Sequence, residues 1–105
     1  MESQMTWPIY VTDRYGHTIY MTEERWRHAK LHPGMDDLIL PKALSTLRTS
    51  KRRLDRLYSQ VFIYQKGFPN LPLGNRQVVV AVKFEFDPLD GDKENNFVLT
   101  AYLRH

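Results

Sequence analysis

Alternation of apolar and polar residues in the second half of the chain constrains the fold most. In residues 77–86, valines and phenylalanines occupy every second position, while Lys83 and Glu85 fall between them. A period of two is that of a β-strand with one buried face, so this segment predicts the strongest strand of the chain. Residues 61–66 and 97–104 are also β-prone and predict two further strands. In the second of these, alternation predicts one apolar face that comprises Phe97, Leu99, Ala101 and Leu103.

The three predicted strands are joined by two connections, residues 67–75 and 87–95, each nine residues long. Both connections are rich in turn-forming residues, and neither holds a helical pattern that could cross over the sheet. Strands joined in this way pair with their sequence neighbours. The second half therefore predicts an antiparallel meander. The acidic residues of the second connection lack the spacing of a calcium-binding EF-hand loop, so we interpret it as a turn.

The first half carries a hairpin signal followed by two helix signals. Residues 9–12 and 18–21 are β-prone and flank a turn that contains Gly16. Thr22 can cap a following helix, which we expect to end near Pro33. A second helix is predicted from about Leu40, with its apolar face at a 3.6-residue period. That face comprises Leu40, Ala43, Leu44 and Leu47.

These elements predict one α+β domain over residues 1–105, with an N-terminal hairpin and two helices packed on a three- to four-stranded antiparallel sheet. The absence of cysteine excludes disulfides, a thiol nucleophile and a thiolate zinc site. No apolar run is long enough to cross a membrane. Residues 1–4 lack the basic and apolar start of a secretory signal, so a cytoplasmic location is expected.

Positive charge is concentrated between Lys42 and Arg56. This segment of fifteen residues has a net charge of +5, whereas the whole chain has a net charge of +3. Such a block favours a polyanionic partner such as RNA, although a solvated helix end that binds nothing is equally consistent with it. The residues expected to contact nucleic acid are Arg52, Arg53, Arg56, Tyr64 and Lys66.

If the apolar sides of all three strands face the helices, polar groups collect on the opposite side of the sheet. Cations, phenols and a hydroxyl are the groups that hold a phosphodiester and move its protons. An ordinary solvated sheet face is the alternative. The predicted polar face comprises Tyr64, Lys66, Lys83, Glu85, Thr100, Tyr102 and Arg104.

His28 and His32 are four residues apart, so they are predicted to project from the same side of the first helix. The residues between them lack the acidic residue of a metalloprotease helix, and no third ligand is evident, so we expect no metal or other cofactor. Proton transfer is more plausible, because histidine titrates near neutral pH. Alternatively, His32 caps the end of the helix.

Several short motifs occur in order over residues 9–104. They are residues 11–16, 19–26, His28, the His32-Pro33 pair, 64–66, 78–83 and 98–102. Together they resemble small phage and bacterial domains of the barnase–EndoU–colicin–RelE-like (BECR) nuclease group. The resemblance implies a metal-independent ribonuclease, often a toxin, with a cognate antitoxin or immunity protein as a possible partner. It matches His28 to the group's helix histidine and Thr100 and Tyr102 to its last-strand positions. Where the group has an acidic residue after His-Pro, this chain has Gly34.

Two functions follow as hypotheses. A ribonuclease would use the ribose 2′-OH as nucleophile and leave a 2′,3′-cyclic phosphate, with His28 as the favoured base or acid. A binding module without catalysis would use the basic block and the polar sheet face alone. The expected catalytic residues are His28, His32, Lys83, Thr100, Tyr102 and Arg104, and Glu85 is an alternative proton carrier.

Overall fold

The structure is a computed structural model that describes residues 6–87 and 90–105, without the side chains of residues 86–92. The secretory signal was judged from residues 1–4, and these residues lie outside the described part of the chain. The tip of the predicted turn over residues 87–95 lies outside it as well. No helix within the described ranges is long and apolar enough to cross a membrane.

The described residues form one mixed sheet of six strands and two α-helices, in an α+β arrangement. In chain order the elements are β1 (Ile9–Thr12), β2 (Thr18–Met21), α1 (Glu23–Ala29), α2 (Leu40–Thr49), β3 (Arg52–Leu54), β4 (Val61–Gly67), β5 (Gln77–Asp87) and β6 (Asp90–Arg104). Short 3₁₀ turns, Asp37–Ile39 and Pro72–Gly74, precede α2 and β5. The strand order is β1-β2-β6-β5-β4-β3, and every neighbouring pair is antiparallel except β2 and β6.

The α+β class, the hairpin and the β4-β5-β6 meander are confirmed, but the predicted sheet was too small. The hairpin joins the sheet through a parallel pairing in which Tyr20 lies opposite Phe97. The short strand β3 adds a sixth strand beside β4, inside the basic block. The prediction of a loop over residues 87–95 is wrong at Asp87 and from Asp90 onward, because backbone pairing extends the β5-β6 ladder through polar residues that do not alternate with apolar ones.

One face of the sheet packs against α2. Leu40, Ala43 and Leu47 of this helix are buried, as predicted, and Pro41 stands in the first turn, where its missing N–H is tolerated. Trp26 and Ala29 extend the same core from α1. The sheet residues of this core include Ile19, Met21, Tyr64, Val78, Val80, Val82, Val98 and Ala101.

A β-bulge changes which residues of β6 face the core. Thr100 lies opposite Ala81, whereas Val98 lies opposite Val82, so Leu99 is the extra residue between them. Val98 is consequently fully buried. The prediction that Phe97 and Leu99 share the core face with Ala101 is wrong, since one inserted residue reverses the alternation on one side of it.

Candidate active site

The sheet surface opposite α2, called here the open face, carries five of the seven residues predicted for a polar face. Its floor is a small apolar cluster made of strand residues, namely Val61, Ile63, Val79 and Ala81, with Leu99 and Tyr102 packed against it. Thr100 lies opposite Ala81 and Tyr102 opposite Val79. By alternation along the same strands, Lys83, Glu85 and Arg104 project from this face as well.

His32 lies at the edge of the open face beside Thr100 and Tyr102. Its Nε2 is 3.3 Å from Thr100 Oγ1, and its ring centroid is 5.7 Å from that of Tyr102. The imidazole is exposed, and Thr100 and Tyr102 are half-buried. The structure therefore brings together three residues that the sequence proposed for the site, and a substrate can reach them.

The end of α1 directs His32 to this position. The helix ends at Ala29, earlier than predicted, and the His32 N–H then donates to the Ala29 carbonyl in a tighter turn. Pro33 disfavours helical backbone at His32, so the helix cannot continue through this residue. Because the helix has ended, the prediction that His28 and His32 share one helix face is wrong.

Gly34 completes this turn in a conformation that other residues rarely adopt. Its φ is +80°, and a Cβ at this position would lie 3.0 Å from Leu103 Cδ1. The positive φ and the nearby Leu103 side chain both favour glycine at this position. Glycine stands here where the resemblance implied an acidic residue.

His28 lies apart from this group. It lines a shallow groove on the surface of α1 with Glu24, Arg27 and Leu31. The histidine beside Thr100 and Tyr102 is His32, so the assignment of His28 as the favoured proton carrier is not supported by its position.

Basic side chains border the open face. Lys83 is two residues along β5 from Ala81, the partner of Thr100, which corresponds to about 7 Å along the strand. Arg53, Ile63, Ala81 and Thr100 form one register row across four strands. Arg53 is exposed at the far end of this row, and Arg56 is exposed in the following loop. The register that aligns Arg53 with Thr100 depends on β3, which the sequence did not reveal.

Arg52 and Tyr64, both predicted to bind nucleic acid, lie instead in a buried polar network on the α2 side of the sheet. Arg52 Nη1 donates to Asp13 Oδ2 at 2.8 Å, and the Tyr64 hydroxyl donates to the same oxygen. The guanidinium also lies over the rings of Tyr15 and Phe62, each 4.4 Å from its centroid. This network joins the β1-β2 turn to β3 and β4, so its role is structural.

Hydrogen bonding fixes the charge state of this network. Burial alone would raise the pKa of Asp13, but bonds from the Tyr64 hydroxyl and from two backbone N–H groups, with the charge of Arg52, lower that pKa overall. Burial and the hydrogen bond to Asp13 raise the pKa of Tyr64. The sequence signal that could have revealed the network is Asp13, a carboxylate in the hairpin turn.

Lys66 also lies on the α2 side, where its Nζ contacts Ser45 Oγ at 3.1 Å and Thr49 Oγ1 at 2.7 Å. The prediction of Tyr64 and Lys66 on the polar face is therefore wrong. The polar groups of Tyr64 and Lys66 suggested that they face solvent. The Tyr64 hydroxyl instead finds its hydrogen-bond partner inside the core, and the apolar residues Val61 and Ile63 form the floor of the open face.

Among the side chains that the structure describes, those of residues 6–85 and 93–105, no group of three or more His, Cys, Asp or Glu could hold a metal ion. Comparison of the chain with protein-family models, curated proteins and solved structures finds no match.

Proposed function

We propose that this protein is a metal-independent endoribonuclease, a toxin-like member of the BECR nuclease group. The observation that carries the proposal is the exposed His32 imidazole within 3.3 Å of the Thr100 hydroxyl, at the edge of a sheet face bordered by Lys83 and Arg104. These are a proton carrier, a hydrogen-bonding group and cations around one space, which is what phosphodiester cleavage requires.

In the proposed reaction, the ribose 2′-oxygen attacks the adjacent phosphorus while a base removes the 2′-OH proton. The bond from phosphorus to the 5′-oxygen then breaks, and an acid donates a proton to that oxygen. The products are a 2′,3′-cyclic phosphate and a 5′-OH. Atoms and charge balance without a redox partner.

His32 carries one of the two protons, because an imidazole ring can both accept and donate a proton. The hydroxyls of Thr100 and Tyr102 hydrogen-bond the non-bridging phosphate oxygens. The ammonium group of Lys83 and the guanidinium of Arg104 stabilise the additional negative charge of the transition state. Glu85 shares the face with Lys83 and is the candidate for the second proton transfer.

The first experiment is incubation of the purified protein with total RNA in EDTA, followed by analysis of the 3′ ends. Fragments that end in 2′,3′-cyclic phosphate support the proposal. RNA that stays intact across a broad pH range contradicts it. A variant with His32 replaced by alanine serves as the control for a contaminating ribonuclease, because a contaminant would cleave equally in both preparations.

A binding module without catalysis is the second candidate. It is favoured by the exposed Arg53 and Arg56, which lie beside exposed Leu57 and Tyr58. This function would need those residues and would be unaffected by loss of His32. For a toxin-like ribonuclease, we further propose a cytoplasmic location and a cognate antitoxin or immunity protein that covers the open face.

A further inference from the structure

Three aromatic residues lie side by side across strands β1, β2 and β6. Tyr10 is the register partner of Tyr20, and Tyr20 is the register partner of Phe97. The ring centroids of Tyr10 and Tyr20 are 5.8 Å apart, and those of Tyr20 and Phe97 are 6.0 Å apart. We call Tyr10, Tyr20 and Phe97 the aromatic row.

The aromatic row lies on the open face. Phe97 is the register partner of Lys83, so the row continues directly to the cation proposed to act on the phosphate. The residues next to Tyr10 and Tyr20 along their strands, Val11 and Ile19, are buried in the core on the α2 side. Alternation therefore directs the two tyrosines to the opposite side.

The row is both held in place and accessible. The Tyr20 hydroxyl donates to Asn95 Oδ1 at 2.8 Å, which fixes the central ring. Tyr10 is 63% exposed, so its ring is open to solvent. Tyr10 and Tyr20 also line a cleft of about 660 Å³. A planar ligand can therefore reach a ring whose neighbour is already oriented.

Charge near the row is suited to a phosphate backbone. Lys93 lines the same cleft as the two tyrosines, and Lys83 ends the row. Glu94 also lines the cleft, with its Oε1 3.6 Å from His17 Nε2. Lys83 thus lies at one end of the three aromatic rings, and Lys93 lines the cleft that two of them share. Aromatic rings on adjacent strands of an exposed sheet, flanked by cations, form a surface on which successive unpaired bases stack.

We propose that the aromatic row is the subsite for single-stranded RNA, with bases stacked on Tyr10, Tyr20 and Phe97 and the backbone led past Lys83 toward His32. This inference rests on the proposed function for the identity of the ligand. It adds that the substrate is unpaired RNA, since bases within a duplex cannot stack on protein rings.

The test uses a fluorescein-labelled oligouridine whose riboses are 2′-O-methylated, so that binding is measured without cleavage. Tyr10→Ala should weaken binding about 5- to 150-fold, the effect of losing one stacking ring. Tyr10→Phe, which keeps the ring, should bind within about twofold of the unaltered protein. Leu38→Ala removes an exposed apolar side chain that lies outside the row and outside the basic block, and it serves as the control.

A second probe of equal length and charge, but without bases, separates stacking from charge attraction. The Tyr10→Ala change should leave its binding unaltered. Equal losses for both probes, or no loss for the oligouridine, would overturn the inference. Failure of the unaltered protein to bind either probe would also overturn it and leave the row to a protein partner. RNA cleavage that is unchanged by Tyr10→Ala, together with unchanged binding, would reject the subsite while leaving the ribonuclease proposal intact.

Discussion

His32 and Thr100 are 68 residues apart in the chain, yet His32 Nε2 lies 3.3 Å from Thr100 Oγ1. The contact forms because α1 ends at Ala29 and the following turn brings the chain onto the edge of β6. A proton carrier and a hydroxyl thereby meet beside an exposed sheet surface. This arrangement underlies the proposed chemistry.

Lys83 and Lys66 provide a matched pair, because they occupy opposite faces of the sheet. Lys83→Met should lower the rate constant of RNA cleavage by about 10²- to 10³-fold, the usual effect of removing one group that stabilises transition-state charge. Lys66→Met should leave that rate within a few-fold, since Lys66 contacts Ser45 and Thr49 on the α2 side. Single-turnover cleavage of a defined RNA measures both. Equal effects of the two changes would contradict the assignment of the open face.

Arg53 is expected to contribute affinity through a phosphate contact. Arg53→Gln should reduce the slope of log Kd against log salt concentration by about 0.7 for single-stranded RNA, because one fewer counterion is released. Arg48→Gln makes the same change in net charge on α2, which covers the other face, and should leave the slope unaltered. An unchanged slope for Arg53→Gln would mean that Arg53 faces something other than RNA. Arg52 is unsuitable for this test, because its loss leaves Asp13 buried without its cation.

Acid should destabilise the protein through Asp13. Its pKa is lower in the folded protein than its ordinary value of 3.8, so the folded state favours the ionised carboxylate. The resulting stabilisation is complete above about pH 5 and is lost as the pH falls through 3.8 and then through the lower folded-state pKa. Urea denaturation between pH 2 and pH 6 should show this loss. Asp13→Asn, although less stable at neutral pH, should show a shallower pH dependence, and an identical dependence would contradict the assignment.

Gly34 should be more sensitive to substitution than Gly16, although both have positive φ. Alanine at either position adopts an unfavourable backbone conformation, at about 1–2 kcal/mol of unfolding free energy. At Gly34 the new Cβ would additionally press on Leu103, whereas nothing lies within 4 Å at Gly16. Gly34→Ala should therefore lower the free energy of unfolding by more than Gly16→Ala. Equal losses in urea denaturation would show that β6 accommodates the added methyl group.

The sequence predicted where helices and strands occur better than it predicted which side chains face the core and which strands pair. In β5 and in α2 from Leu40 to Leu47, the apolar residues that form the sequence pattern are also the ones that pack in the core. These two elements were therefore predicted well. Tyr64 was misassigned because a hydroxyl suggests exposure, whereas this one is satisfied by Asp13 in the core. Phe97 was misassigned because the bulge at Leu99 reverses the alternation, and its position depends on long-range register.

Only part of the predicted site is brought together in the structure, because only part of it depends on local sequence pattern. Thr100 and Tyr102 could be placed together by alternation on one strand, but their histidine partner depended on where α1 ends. The prediction that His28 and His32 lie on the same side of α1 assumed that the helix continues through His32. Pro33 and Gly34, which follow the helix in the turn toward β6, were visible in the sequence, but the place where this turn meets β6 depends on tertiary packing near Leu103.

The most direct test of the account compares His32→Ala with His28→Ala in cleavage of a defined RNA under single-turnover conditions, in EDTA. Loss of His32 should lower the cleavage rate constant by about 10²- to 10⁴-fold, the usual contribution of one positioned acid or base. Loss of His28, an equally exposed histidine only four residues away, should leave it within a few-fold. Both variants should keep the unfolding midpoint of the unaltered protein. Cleavage that survives loss of His32, or is abolished by loss of His28 instead, would contradict the site described here.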